Sequence, residues 1–245
     1  MDIRIESLLE GARRARGTVV IIDVFRAFTT AAVALARGAD RIILVAEPEE
    51  ALALRRRGVG DLLIGEVGGR KPVGFDLGNS PYELSQAEVA GKTLIQSTRA
   101  GTVGACAARH AENLYAASLV VARATAIALL QAAPPLVTLV AMGAEGKQRS
   151  DEDEQCALYL RNLLGGRQPD RECVRQLVLV GSEAAKYEDP KRPYFHPQDR
   201  EIALQIDSLD LAIRVSRENG LLVARAAAEP GSPPGTEGHG GQSTS

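Results

Sequence analysis

The feature that most constrains this chain is a series of short runs that are apolar throughout rather than at every second position. They are Thr18–Ile22, Arg41–Ala46, Asp61–Ile64, Thr93–Ile95 and Leu136–Ala141. A strand with one wet face alternates; a run without alternation suits a strand covered on both faces, as in a parallel or mixed sheet. The segments between these runs have helical character. Phe28–Arg37 is rich in Ala and Leu and stops at Gly38, a residue that ends helices readily. Pro48–Arg57 opens with Pro-Glu-Glu and closes with Arg55-Arg56-Arg57, acids first and bases last, as a helix dipole favours. Strand and helix alternate, which predicts an α/β protein: a layered α/β/α fold with a mixed or mostly parallel sheet.

The second half is less regular. Thr125–Ala132 reads as a helix stopped by Pro134-Pro135, and Asp151–Leu164 as a helix with acids at its start and Gly165-Gly166 at its end. Arg171–Ala185 reads as helix, with a strand competing at Leu177–Val180, and Asp199–Val215 fits either. From Glu229 the chain is Gly, Pro, Ser and Thr with one His, a composition that predicts a disordered tail over 229–245. This leaves one domain over 1–228, with a split into two subdomains near 120–135 as the alternative.

Composition narrows the function. With a net charge of −2 and only 4% aromatic residues, the chain has neither the basic surplus nor the stacking platforms that nucleic-acid binding requires. The longest apolar runs, such as Leu136–Met142, are too short to span a bilayer, and Met1–Arg16 lacks the apolar core of a signal peptide. Cys106, Cys156 and Cys173 are odd in number and show no metal-ligand spacing, so they read as reduced thiols. These features predict a cytoplasmic protein without membrane or nucleic-acid partners; a homodimer is compatible with this size.

Chemistry collects immediately after the apolar runs. Val19–Ile22 leads to Asp23-Val24-Phe25-Arg26, Leu62–Ile64 to Gly65-Glu66, and Leu94–Ile95 to Ser97-Thr98-Arg99-Ala100-Gly101-Thr102. Leu136–Ala141 leads to Met142-Gly143 and then Ser150-Asp151-Glu152-Asp153. Ligands of open α/β sheets bind at the carboxyl ends of strands. Parallel strands would therefore put Asp23, Glu66 and one or more of Glu152 and Asp153 on one edge with Arg26 and Arg99. Carboxylates gathered with arginines suit a phosphate together with a hard cation such as Mg²⁺. Each signal has a plainer reading: Asp23 as a helix N-cap, the acids from Asp151 as a dipole-matched first turn, Ser97–Thr102 as a capping turn rather than a phosphate nest.

The stretch from Gly65 to Pro81, GEVGGRKPVGFDLGNSP, is a long glycine-rich loop with Arg70, Lys71, Asn79 and Ser80 as donors. Its glycines permit close backbone approach to an anion, and loops of this length in compact domains are usually functional. Other chemistries lack their signatures. No Gly-x-Gly-x-x-Gly follows a strand. Gly143–Lys147 has the wrong spacing for a P-loop. The positions six after each cysteine hold Glu112, Asn162 and Leu179 rather than Arg, and His110, His196 and His239 form no zinc spacing.

Several of these strings, in this order, resemble the 2-phosphosulfolactate phosphatase family: Asp23–Thr30, Gly65-Glu66, Gly74-Phe75-Asp76-Leu77-Gly78-Asn79-Ser80-Pro81, the Ser97–Thr102 turn and Glu152-Asp153. The resemblance runs from about Val19 to Val215. It implies a Mg²⁺-dependent acid phosphatase acting on phosphate esters of 2-hydroxycarboxylic acids, whose namesake reaction releases 3-sulfolactate and phosphate in coenzyme M biosynthesis. In that reading Asp23, Arg26 and Arg99 carry catalysis. Asp23 and Glu152 or Asp153 hold the metal, with Glu66 or Asp76 as a further ligand or the partner of one. Lys71, Asn79, Ser80, Ser97, Thr98 and Thr102 bind the ester. The chain departs from the family where Thr-Thr-Asn-Gly-Thr is common and it has Ser97–Thr102, and where Arg often follows the Gly-Glu pair and it has Val67. Phe25 stands where the second Asp of the haloacid-dehalogenase pattern would be, and the residues leave open whether a carboxylate or water attacks phosphorus.

Overall fold

The structure is a computed structural model that describes residues 1–227; the expected tail over 229–245 lies outside them. The strands are β1 Asp2–Ser7, β2 Gly17–Ile22, β3 Arg41–Val45, β4 Leu62–Gly65, β5 Thr93–Ser97, β6 Ala111–Ala117, β7 Leu136–Ala141, β8 Ile213–Glu218 and β9 Leu221–Ala226. The helices are α1 Leu8–Arg14, α2 Ala27–Ala36, α3 Pro48–Arg56, α4 Pro81–Gln86, α5 Gly101–Ala107, α6 Ala122–Ala132, α7 Asp151–Leu164, α8 Arg171–Leu179, α9 Ser182–Ala185 and α10 Pro197–Ala203. All nine strands form one sheet in the order β1-β7-β2-β6-β8-β9-β3-β5-β4. The stretch near 120–135, where a subdomain split was the alternative, connects β6 to β7 within that sheet. Among the described residues no helix is long and apolar enough to cross a membrane.

The continuous apolar runs behave as their pattern demands. Every residue of β2 is buried, because Val19 and Ile21 face one layer while Val20 and Ile22 face the other. The first layer is packed by α1, α2, α4 and α5, and it touches all strands from β2 to β9 through residues such as Phe28, Ile42, Leu94 and Ile213. On the opposite face, α6, α7, α8 and α10 cover β2, β6 and β7, and α3 covers β3, β4 and β5. This is the expected layered α/β/α arrangement.

Three strands carry weaker signals. The edge strand β1 has one exposed side and alternates, as does β8. Three of the seven residues of β6 are Ala, which has little β-propensity of its own. Arg171–Leu179 is helical, so the competing strand at Leu177–Val180 does not form; Leu177 and Val180 are exposed. Asp199–Val215 holds both alternatives in turn, the end of α10 and the start of β8.

One feature of the topology decides where the loops meet. β8 pairs antiparallel with β6, β9 with β8, and β3 with β9. The parallel block β3-β5-β4 therefore runs opposite, strand by strand, to the parallel block β1-β7-β2-β6. The carboxyl ends of the two blocks nevertheless come together: the Gly101 N–H, after β5, donates to Asp23 Oδ2, after β2, at 2.8 Å.

Within the second block, β4 and β5 approach closely at the pair Gly65↔Ser97. Gly65 has φ +152°, and a Cβ there would lie 1.9 Å from the Ser97 carbonyl oxygen. Gly65→Ala should therefore lower the unfolding free energy by ~2–4 kcal/mol, through overpacking and backbone strain together. Urea denaturation measures this, and an unchanged midpoint would contradict so close a contact.

Candidate active site

The strand-end loops enclose a cavity of about 200 Å³ whose walls include Asp23, Arg26, Glu66, Asn79, Arg99 and Glu152. That is below the ~300–1,000 Å³ typical of pockets for drug-sized ligands, and it suits a small metabolite. These six sequence-predicted residues come from four separate segments, and the fold brings them together.

Asp23 follows β2 and is buried. Its Oδ1 accepts from the Ala27 N–H at 3.0 Å and its Oδ2 from the Gly101 N–H at 2.8 Å. The first bond ties down the start of α2; the second reaches across to the β5 loop, where Gly101 leaves no room for a Cβ against Asp23 and Ala27. Burial, and the nearby charge of Glu66, push the Asp23 carboxyl up to about 6 against these two N–H groups. Each oxygen keeps a further lone pair.

Glu66 bridges in the same manner: Oε1 accepts from the Arg99 N–H at 2.8 Å and Oε2 from the Gly69 N–H at 2.7 Å. The first turn of α7 divides its acids. Glu152 lines the cavity, and burial, with the charges of Glu183 and Asp23, pushes its carboxyl up to about 8. Asp153 Oδ1 accepts from the Val24 N–H at 2.7 Å and Oδ2 from the Gly143 N–H at 2.8 Å, joining the β2 and β7 loops. Burial and the charges of Glu152 and Asp23 raise its pKa while those two N–H groups oppose the rise. Glu154 faces away, to Arg149 and Ser7.

Arg26, which follows a cis Phe25–Arg26 peptide bond, is buried. Its Nη1 donates to Asp199 Oδ2 at 2.6 Å and to the Tyr194 carbonyl at 3.0 Å, and its Nη2 donates to the Gly69 carbonyl at 3.2 Å. Its Cζ lies 4.8 Å from the Phe195 ring centroid. Arg99 reaches Glu47 at 2.9 Å. Asn79 is buried on the cavity wall with its Oδ1 unpartnered.

Other predicted residues stand off. Asp76 is not brought to the cavity: its Oδ2 holds Arg55 at 2.6 Å and the Leu63 N–H at 2.7 Å, fastening the glycine-rich loop to α3 and β4. Lys71 donates to the Asp76 carbonyl on the same side. Ser80 caps α4, accepting from the Glu83 N–H, and donates to Asp199. The hydroxyls of Thr98 and Thr102 are consumed in reciprocal bonds to each other's backbone, and the Ser97 hydroxyl is buried without a partner.

A whole wall escaped the sequence reading. Glu183, Lys186, Arg192, Tyr194 and Phe195 close the cavity from the segment after α8, with Phe25 and Glu145. The signal was available: with only five Tyr and four Phe in the chain, Tyr187, Tyr194 and Phe195 fall within nine residues. They form a ring cluster with Phe25, at centroid distances of 5.1–5.4 Å.

For a divalent cation the donor chemistry fits, since Asp23, Glu66 and Glu152 offer hard carboxylate oxygens in one cavity. Among the described residues no group of three or more Asp, Glu, His or Cys side chains converges to hold a metal ion. Mg²⁺ does not need one, because it commonly takes one or two carboxylates and keeps its waters. The bridging role of Asp153 gives a direct test. Asp153→Asn removes one acceptor and strands a buried N–H, so stability should fall by ~1–3 kcal/mol, measured by urea denaturation; an unchanged midpoint would contradict the bridge.

The family model described as 2-phosphosulpholactate phosphatase matches residues 3–191. A Bacillus subtilis (strain 168) protein named "Probable 2-phosphosulfolactate phosphatase" is 33% identical over 183 residues, 74% of this chain and 78% of that protein. Proteins of the same name from Thermus thermophilus and Deinococcus radiodurans are 42% and 41% identical, over 55% and 59% of this chain. The chain spans 56% and 61% of the length of those two relatives. It belongs to the 2-phosphosulpholactate phosphatase family.

Proposed function

We propose that this protein is a Mg²⁺-dependent phosphatase that hydrolyses the phosphate ester of a small 2-hydroxycarboxylic acid, with 2-phosphosulfolactate as the first candidate. The observation that carries the reading is the charge balance of the cavity. Its lining acids are Asp23, Glu66, Glu145, Glu152 and Glu183, against Arg26, Arg99, Lys186 and Arg192. Each of those cations already has a carboxylate partner: Asp199, Glu47, Glu183 and Asp189 respectively. A dianionic ester entering such a cavity needs added positive charge, and the carboxylates are the means of holding it.

Asp23 and Glu152 are the residues we assign to the cation, with Glu66 as the further acid. Bound there, Mg²⁺ would supply Lewis-acid polarisation and offset charge on the phosphoryl oxygens. The remaining N–H groups of Arg26 and Arg99 bind and orient those oxygens, and positioning with electrostatic stabilisation supplies most of the catalysis in phosphoryl transfer. The Asn79 amide orients a donor of the substrate or its water shell. Phe25, Tyr194 and Phe195 exclude bulk water on the far wall, which strengthens every charge interaction inside. The half-exposed Val67, which places no cation after the Gly65-Glu66 pair, favours a second reading, in which the acid group beside the phosphate differs from a sulfonate. Placement in the cytoplasm and in coenzyme M biosynthesis belongs to the same proposal.

Phosphate release from 2-phosphosulfolactate and from phospholactate, measured with Mg²⁺ and with EDTA, tests it. Metal-dependent turnover is expected, and the ratio between the substrates reports whether a sulfonate is read; absence of release from both overturns the reading. Asp23→Asn should lower kcat by at least ~10²-fold, as removal of a group that stabilises transition-state charge does. Full activity in that variant would remove Asp23 from the metal site.

A further inference from the structure

Asp199 lies in α10, beyond residue 191 where the family match ends. It has no exposed surface, and it does not line the cavity. Its Oδ2 accepts from Arg26 Nη1 at 2.6 Å; its Oδ1 accepts from Ser80 Oγ at 2.6 Å and from the Tyr82 N–H at 3.1 Å. One carboxylate thus ties together the β2 loop, the end of the glycine-rich loop beside Asn79, and α10.

The consequence falls on Arg26. A guanidinium has five N–H donors in a rigid plane, and three are committed: two on Nη1, to Asp199 and the Tyr194 carbonyl, and one on Nη2, to the Gly69 carbonyl. Nε and the second Nη2 hydrogen remain to meet oxygens in the cavity. Asp23 and Glu66 are close enough to Arg26 to influence its charge or be influenced by it. Without a carboxylate behind it, the guanidinium would swing towards those acids and occupy the oxygens that an incoming cation needs.

We infer that Asp199 is the positioning residue for Arg26: it fixes the plane of the guanidinium, and keeps it from pairing with the cavity carboxylates, so that its free N–H groups meet the phosphoryl oxygens. This inference rests on the phosphatase reading above.

The test is a double-mutant cycle in the full chain with Asp199→Asn, Arg26→Ala and both together. Asp207→Asn is the control, because the Asp207 carboxylate is also shielded from solvent and paired, with the half-exposed Arg171 and with Tyr159, but lies away from the cavity. Asp199→Asn should lower kcat/KM for the ester by about 10²-fold, the scale of a misplaced catalytic group. In the Arg26→Ala background the same substitution should cost no more than about twofold, because residues acting as one unit are not additive. Asp207→Asn should lower the melting temperature and leave kcat/KM unchanged. Losses that multiply across the cycle, or an equal loss in Asp207→Asn, would overturn the role.

Calorimetric binding of inorganic phosphate in the presence of Mg²⁺ separates this inference from the phosphatase reading. A wild-type chain that binds phosphate but hydrolyses no ester loses the phosphatase reading. Phosphate affinity then judges Asp199: weakening by Asp199→Asn only when Arg26 is present supports the role, and equal weakening in both backgrounds overturns it. A wild-type chain that neither hydrolyses the ester nor binds phosphate overturns both. If Asp199→Asn does not fold, Ser80→Ala, which removes one donor to Asp199, replaces it in the cycle. Its smaller loss should likewise vanish in the Arg26→Ala background, and persistence of the loss there would overturn the role.

Discussion

The site depends on buried and half-buried carboxylates that each clamp two backbone amides from separate parts of the chain. Asp23 joins the start of α2 to the loop after β5, Glu66 joins the glycine-rich loop to Arg99, and Asp153 joins the loops after β2 and β7. Buried N–H groups must be paired, and loops at strand ends have many of them. A carboxylate with two acceptor oxygens pairs two at once and fixes the distance between them. The structural and functional readings of these acids are therefore compatible. Asp23 is a helix-end acceptor and a candidate metal ligand because each oxygen retains a lone pair after its N–H bond.

Concentrating acids in this manner creates an electrostatic demand that the fold only partly meets. Burial raises the carboxyls of Asp23 and Glu152, while the arginines nearest them are paired elsewhere, Arg26 with Asp199 and Arg99 with Glu47. In the proposed function such a cavity takes a hard cation together with the anionic ester. It also makes the outward pairing of Arg26 consequential, since a guanidinium released into the cavity would satisfy the same carboxylates. The aromatic wall of Tyr187, Tyr194 and Phe195 surrounds that pairing and keeps it dry.

How far the sequence could be read follows the range of the interactions. Asp23, Glu66, Arg99 and Glu152 were legible because each comes shortly after an apolar run, and a strand's carboxyl end is where an α/β sheet places ligands. Asp76 and Lys71 share the most distinctive string of the chain, yet Asp76 turns to Arg55 and the backbone of β4. A string of residues specifies a loop's conformation without saying which of its side chains face inward. The Thr98 and Thr102 hydroxyls were undecidable between a capping turn and an anion nest, and they are spent on each other's backbone. Asp199 had no local signal, being one acid in a segment that fitted helix or strand equally well.

By itself, the sequence determined the layers. Runs such as Thr18–Ile22 and Leu136–Ala141 lack alternation because both their faces are buried, and that requires helices on either side of the sheet. The tertiary structure decided what lies beside what. Strand order, the reversal of the second parallel block across β8 and β9, and the meeting of the β5 loop with Asp23 depend on pairings between distant segments. So does the closing of the cavity by the segment after α8 and the seating of Asp199 behind Arg26. Periodicity records how much of each residue is buried, and identity records what chemistry it carries. Neither records its partner, which is fixed only when the chain closes on itself.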